Sequence, residues 1–297
     1  MLSTLNSISP QWIKNLANST TRGWAWLSAG DRPLPDYLII GCKRGGTTSL
    51  FNYLVDHPGV LRMYPLSRGL KSTDFFFKRA GHTVRWYRSH FPSETYRRRL
   101  AGQLGYRPVS GEASPYYVWD PRVAARVKSV APQAKCILLL RDPVKRAWSH
   151  YQERRENNTE PLSFAQAIDA EDARLDGELD RMLADPEYYS EAWDFFSYRQ
   201  RGVYAPQIRT WLEHFPREQL LVIYAEDLYR KTEETFGEVC DFLGIPRARM
   251  ATTQGYNSMP GSKDKPPQDV VDALRDFYRP QVAELEELVG RPAPWTL

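Results

Sequence analysis

The sequence predicts an α/β fold in which a central parallel sheet is flanked by helices to make three layers, and three observations predict it. Four runs of strand length (Tyr37–Gly41, Val109–Ala113, Cys136–Leu140 and Leu220–Tyr224) are separated by helical patterns and not by tight turns. Parallel neighbours need crossovers of that kind, because a two-residue turn returns the chain antiparallel. The runs Leu38-Ile-Ile and Cys136-Ile-Leu-Leu-Leu are apolar throughout, as strands buried on both faces are. The first run also opens into a glycine-rich turn and a helical pattern at Leu50, Phe51, Leu54 and Val55, stopped by Asp56-His-Pro-Gly59.

The other helices follow in order. Arg122–Ala131 precedes the third strand; Pro143–Glu156, Ser163–Ala184 and Val203–Phe215 precede the fourth; Thr232–Leu243 and Gln268–Val289 come last. Asp142 is placed to cap the Pro143 helix, whose proline occupies the first position, where a missing N–H costs nothing. Thr252–Gln268 reads as a loop. No composition shift divides the chain, so residues 35–297 read as one domain and residues 1–34 as an N-terminal arm. Trp12, Trp24, Trp26 and Leu27 give this arm the means to pack on the domain, docking at a partner or membrane surface being the second reading.

The chain has 297 residues, 42% hydrophobic and 26% charged, with 40 Lys and Arg against 36 Asp and Glu. These values exclude collagen-like, disordered and membrane-embedded classes. No apolar stretch approaches the length of a membrane span and the N-terminus has no continuous apolar leader, so a cytoplasmic protein is expected. Cys42, Cys136 and Cys240 sit inside apolar runs without metal-ligand spacing, and read as core residues of a reducing compartment. The net charge of +4 conceals two segments: Arg68–Arg107 carries ten Lys/Arg against two Asp/Glu, and Asp169–Asp194 the reverse. They are solvated faces, a mutual pairing, or a surface for an anionic partner. No nucleic-acid module is present.

The segment Gly41-Cys-Lys-Arg-Gly-Gly-Thr-Thr48 has the glycine spacing of a P-loop between a strand and a helix. Glycines let backbone N–H groups approach an anion, and the helix N-terminus adds its positive dipole end. The lysine that should follow the second glycine is replaced by Thr47, while Lys43 and Arg44 precede the glycine pair. The strand ending at Leu140 runs into Arg141, which suits a second anion better than a metal.

Three motifs in order resemble the sulfotransferase superfamily, in the branch of bacterial and heparan sulfate sulfotransferases that use 3′-phosphoadenosine 5′-phosphosulfate (PAPS): LIIGCKRGGTTSLFNYL, GEASPYY from Gly111 and LLLRDPVKRAWSHYQ from Leu138. Weaker similarities follow in Arg201-Gly-Val-Tyr204, Trp211-Leu-Glu-His-Phe-Pro216, Glu226-Asp-Leu228 and Gly290-Arg-Pro-Ala-Pro-Trp295. The resemblance implies a P-loop-like fold and sulfuryl transfer without a required metal, to a hydroxyl or amine of a glycan or small-molecule acceptor. It places the 5′-phosphosulfate on Lys43, Arg44, Gly45, Gly46, Thr47, Thr48 and Ser49, and the 3′-phosphate on Arg141 and Ser149. Lys263 and Lys265 stand where relatives carry a loop that closes over the nucleotide, here shortened.

Two departures bear on the chemistry. Relatives place a lysine before the glycine pair, where this chain has Arg44, which cannot donate a proton near neutral pH, so that Lys43 becomes the alternative acid. Relatives also carry a glutamate base in a Lys-Glu-Pro-His-Phe-Phe type segment, matched here by Lys71-Ser-Thr-Asp74-Phe-Phe76 with Ser72 in the glutamate's place. Asp74, two residues on, is the expected base, and Glu112 the next candidate. His57 and His214 read as surface residues, His82 and His90 as parts of the basic segment, and His150 as a neighbour of the phosphate motif. Trp86, Tyr87, Tyr116, Tyr117, Tyr188, Tyr189, Trp193 and Phe195 divide between core and an acceptor cleft. A P-loop kinase or a non-catalytic nucleotide-binding relative are the competing readings.

Overall fold

A computed structural model describes residues 22–66, 69–77, 81–248 and 264–297. Strands β1 (Tyr37–Gly41), β2 (Val60–Leu61), β3 (Val109–Ala113), β4 (Lys135–Leu140) and β5 (Leu220–Tyr224) form one parallel sheet in the order β2-β3-β1-β4-β5. β1 lies between β3 and β4, so the strand order reverses beside it. Open α/β sheets leave a crevice at that switch point, outside the strands' C-terminal ends.

Side chains alternate across a strand, and here both alternating sets are apolar. Leu38 and Ile40 of β1, with Cys136, Leu138 and Leu140 of β4, pack on one face against Val127, Tyr204 and Trp211. Tyr37, Ile39, Ile137 and Leu139 pack on the other against Leu50, Leu54 and Phe236. A third cluster, including Val144, Ala147, Tyr151, Leu274 and Tyr278, joins the Pro143–Glu156 helix to the Gln268–Val289 helix.

The expected helix over Ser163–Ala184 is three short ones, Phe164–Asp169, Glu171–Leu175 and Glu178–Ala184. Ser163 opens the first with a reciprocal capping box to Gln166, and Gly177 breaks the run with a left-handed φ of 69°. The basic segment, which carried no expected element, folds into Val84–Arg88 and Glu94–Leu104; Ser93 and Gly105 cap the second. Arg97 pairs with Asp36, and Arg98 and Arg107 with Glu94. In the acidic segment, Glu178, Asp172 and Asp194 take Arg181, Arg199 and Arg201. Among the described residues no ion pair joins the two segments, so their opposite charges do not cancel across the fold.

A Cβ on Gly111 would lie 2.2 Å from the Tyr37 carbonyl oxygen and 2.7 Å from its ring, against strand backbone that cannot yield. Gly111→Ala is therefore expected to lower the urea unfolding free energy by about 1–3 kcal/mol. Gly102→Ala, in an open position of the Glu94–Leu104 helix, is expected to raise it by about 0.5–1 kcal/mol.

Candidate active site

The chain leaves β1 with Cys42 N–H donating to Leu139 O at 2.7 Å, then turns through Arg44 and Gly46 at left-handed φ values of 66° and 91°. A Cβ on Gly45 would meet Cys42 Sγ at 2.6 Å and Cys42 O at 2.9 Å, so the turn closes only with glycine there. No side chain caps the Thr47–Asp56 helix that follows. Its first-turn N–H groups and dipole are left to an anion.

The cation missing from the loop arrives from another segment. Lys71 Nζ donates to Thr47 Oγ1 at 3.0 Å and Thr48 Oγ1 at 2.8 Å. Burial pulls its pKa down to about 8, with Asp74 opposing the shift. Ala113 N–H, at the last residue of β3, donates to Lys71 O at 2.8 Å and ties that segment to the sheet. Next to it, Thr73 N–H and Thr73 Oγ1 both donate to Glu112 Oε2 at 2.7 Å. Tyr87 and Tyr117 hydroxyls donate to Glu112 Oε1, each at 2.8 Å.

This arrangement corrects the expectation for Glu112. Its side chain is wholly buried, and four donors occupy the four lone-pair positions of its carboxylate, leaving none for a substrate proton. Burial still raises its pKa in spite of those bonds. Asp74, at a left-handed φ of 51°, accepts from Ser72 Oγ at 2.8 Å and Ser114 Oγ at 2.6 Å and remains half-buried. It sits beside Lys71 but not in the cleft wall itself.

A second cluster forms at the end of β4. Arg141 NH1 donates to Arg44 O at 3.0 Å, and Arg44 Nε donates to Ser149 Oγ at 2.9 Å. Asp142 caps the helix carrying Ser149 by accepting from the N–H groups of Val144 and Lys145. Three of the weaker motifs meet behind it: Tyr204 OH donates to Arg141 O at 2.7 Å, and Glu226 accepts from Asp142 N–H at 3.1 Å and Trp295 Nε1 at 2.9 Å.

Lys43 takes a third direction. It is 4% exposed, its Nζ lies 3.5 Å from Glu153 Oε1 and 5.1 Å from the Tyr116 ring centre, and it makes no hydrogen bond. Burial lowers its pKa to about 7, helped by Arg201 and opposed by Glu153 and Asp194. All three clusters border one cleft of 1260 Å³, lined by Lys43, Arg44, Gly46, Thr47, Thr48, Lys71, Tyr116, Arg141, Ser149 and Lys265 among others. Gly45 and Ser49 lie beneath it, Ser49 against the Tyr229 hydroxyl at 3.2 Å, and Lys263 is outside the described residues.

Lys71 is the cleft residue that the motifs did not single out; its place at the head of the Lys-Ser-Thr-Asp-Phe-Phe segment was the available signal. His57, expected at the surface, is buried between Gly59 N–H at 2.9 Å and Pro246 O at 2.8 Å. Of the eight aromatic residues set aside for an acceptor cleft, Tyr116 lines it. Tyr87 and Tyr117 serve Glu112, and Trp193 stacks on Trp119 at 4.6 Å.

The three-layer parallel fold thus sets an uncapped helix N-terminus at the end of β1 and a cationic cluster at the end of β4 on one cleft. Residues 34–272 match the sulfotransferase domain family, and the chain belongs to it. It is 29% identical to mouse heparan sulfate glucosamine 3-O-sulfotransferase 3B1 over 290 residues, covering 90% of this chain and 66% of that protein. It is 28% identical to human bifunctional heparan sulfate N-deacetylase/N-sulfotransferase 3, over 91% of this chain and 32% of that protein. The chain thus spans just under two thirds of the 3-O-sulfotransferase. The crystal structure of a sulfotransferase from Alicyclobacillus acidocaldarius superposes with a TM-score of 0.64 at 28% identity, covering 88% of this chain and 98% of that one.

The buried Lys43 amine makes stability depend on pH. An unfolded lysine keeps its proton to about 10.5, whereas the folded one releases it near 7, so the unfolded chain binds more protons in between. Lys43 therefore contributes a stability that rises with pH above about 7. In urea unfolding between about pH 7 and 9, Lys43→Met is expected to flatten that rise. An unchanged slope would contradict the buried amine.

Proposed function

We propose that this chain transfers the sulfuryl group of PAPS to a hydroxyl, or an amine, of a carbohydrate or other small-metabolite acceptor. The observation that carries the reading is the pair of cationic seats on one cleft: Lys71 over Thr47 and Thr48 at an uncapped helix N-terminus, and Arg44 with Arg141 and Ser149. A donor phosphorylated at both its 5′ and 3′ positions needs two such seats. The donor set fits it: backbone N–H groups and hydroxyls at the loop for the 5′-phosphosulfate, and a guanidinium pair with a serine hydroxyl for the 3′-phosphate.

When bound, PAPS supplies an activated sulfuryl group that moves by in-line displacement. In this reading Lys71 Nζ holds a proton next to the loop hydroxyls and stabilises charge on the leaving oxygen. Arg44 contributes a permanent charge only, and Lys43 stands as the alternative acid from its own side of the cleft. Asp74 is the base, since Glu112 has no lone pair to offer. A carbohydrate acceptor is supported by the heparan sulfate enzymes among the relatives and by the Tyr116 ring on the cleft wall. The buried, free cysteines accord with a cytoplasmic setting.

Calorimetry with 3′-phosphoadenosine 5′-phosphate and no Mg²⁺ is expected to give saturable binding. Arg141→Ala should weaken it by about tenfold or more, the cost of a charged hydrogen bond. No saturation at high ligand, or magnesium-dependent ATP turnover, would overturn the reading. Asp74→Asn is expected to keep that affinity and to cut sulfuryl transfer from PAPS across an acceptor panel by about a hundredfold or more. Intact turnover with a matched acceptor would remove Asp74 as the base.

A further inference from the structure

A second surface shares no residue with the cleft wall. Helical residues 22–27 lie against the Val84–Arg88 helix, tied by Arg22, which donates to Ser89 O at 3.1 Å and Ser89 Oγ at 2.8 Å. Ala25 is buried by this contact, yet the large apolar side chains turn outward: Trp24 is 63% exposed, Trp26 46%, Leu27 71% and the adjoining Val84 41%. One exposed apolar residue is ordinary, but four gathered on one short ridge mark an interaction site.

Guanidinium groups frame the ridge. Arg85 lies 4.1 Å over the Trp26 ring and Arg32 5.3 Å over that of Trp24. Arg85 and Arg88 donate to the carbonyl oxygens of Trp26, Gly30 and Arg32, and among the described residues neither is paired with a carboxylate. Of the acids nearby, Glu94 pairs with Arg98 and Arg107, and Asp31 accepts from Thr95 N–H and keeps its charge beside Arg32. The patch is therefore apolar and carries two arginines, Arg85 and Arg88, against the single acid Asp31.

We infer that this ridge docks the protein on an anionic phospholipid bilayer, with Trp24, Trp26 and Leu27 at the boundary of headgroups and acyl chains and Arg85 and Arg88 on lipid phosphates. Indoles favour that boundary because one part of the ring is apolar and the N–H stays wet, and arginine stems reach along apolar surface while their heads remain with anions. Apolar insertion and cationic attraction together supply the two signals that stable surface attachment takes. Among the described residues no helix is long and apolar enough to cross a membrane.

The test is co-sedimentation of the full chain with phosphatidylcholine vesicles, with and without about 30 mol% phosphatidylserine. Binding is expected to the anionic vesicles only, and to fall as salt rises from about 0.1 to about 0.5 M. Trp24→Ala with Trp26→Ala, and separately Arg85→Glu with Arg88→Glu, should each reduce partitioning about tenfold or more. Binding of 3′-phosphoadenosine 5′-phosphate should stay at the wild-type level, which also reports that each variant is folded. Leu27→Ser, at the most exposed position, provides a mild variant should the tryptophan pair fail to fold. No binding to anionic vesicles, equal binding to neutral ones, variants that bind like the wild type, or a ridge that instead mediates self-association on gel filtration would each overturn the inference.

Discussion

A buried carboxylate with every lone pair occupied organises the catalytic edge of this protein. Glu112 sits on β3, one residue from the N–H that captures Lys71 O, and its four donors come from three separate parts of the chain, at Thr73, Tyr87 and Tyr117. Losing one partner would leave part of a wholly buried charge unpaired, which is far costlier than losing an exposed contact. The segment after Lys71 therefore cannot drift from the sheet. Phe75 and Phe76 add to the hold by packing on Tyr87 at 4.5 and 5.1 Å. Lys71 is short of freedom for the same reason, and its amine is delivered to the loop hydroxyls.

The other edge follows a similar logic with different groups. Arg141 reaches the cleft because β4 ends there, and its carbonyl and the next N–H are anchored by Tyr204 and Glu226. Trp295, near the chain's end, completes that anchor through Glu226. Three of the four modest similarities in the C-terminal half thus converge on one stretch of backbone, at Arg141 and Asp142. Lys43 shows what burial does without such help: it has one ion pair at 3.5 Å and no hydrogen bond, so its charged form is disfavoured.

Much of the architecture was legible in advance. The bounds of β1, β3 and the Pro143–Glu156 helix were readable because each is a local pattern bounded by a glycine, a proline or a capping aspartate, and those of β5 because its five residues are a continuous apolar run between polar ones and the Ala225 helix. β2 was not readable, since two residues carry no periodicity. The long helix expected over Ser163–Ala184 is interrupted first at Ala170, which nothing in the sequence signals, and again at Gly177, whose left-handed φ outweighs the apolar spacing on either side. The opposite charges of the basic and acidic segments invited a mutual pairing, but each found partners closer to itself.

The amino-acid order by itself determined the strand and helix sequence, the glycine turn at 41–48 and the arrival of Arg141 and Ser149 at one place. These depend on spacings of a few residues and on chain direction. Which cation serves the loop, which carboxylate is spent on structure, and where Arg44 leans were decided only by the tertiary structure. The Lys71 contacts close gaps of 23 and 24 residues, those to Glu112 reach up to 39, and the Arg44–Ser149 bond spans 105. Contacts of that range form only after the sheet has assembled, so neither local propensity nor motif spacing encodes them.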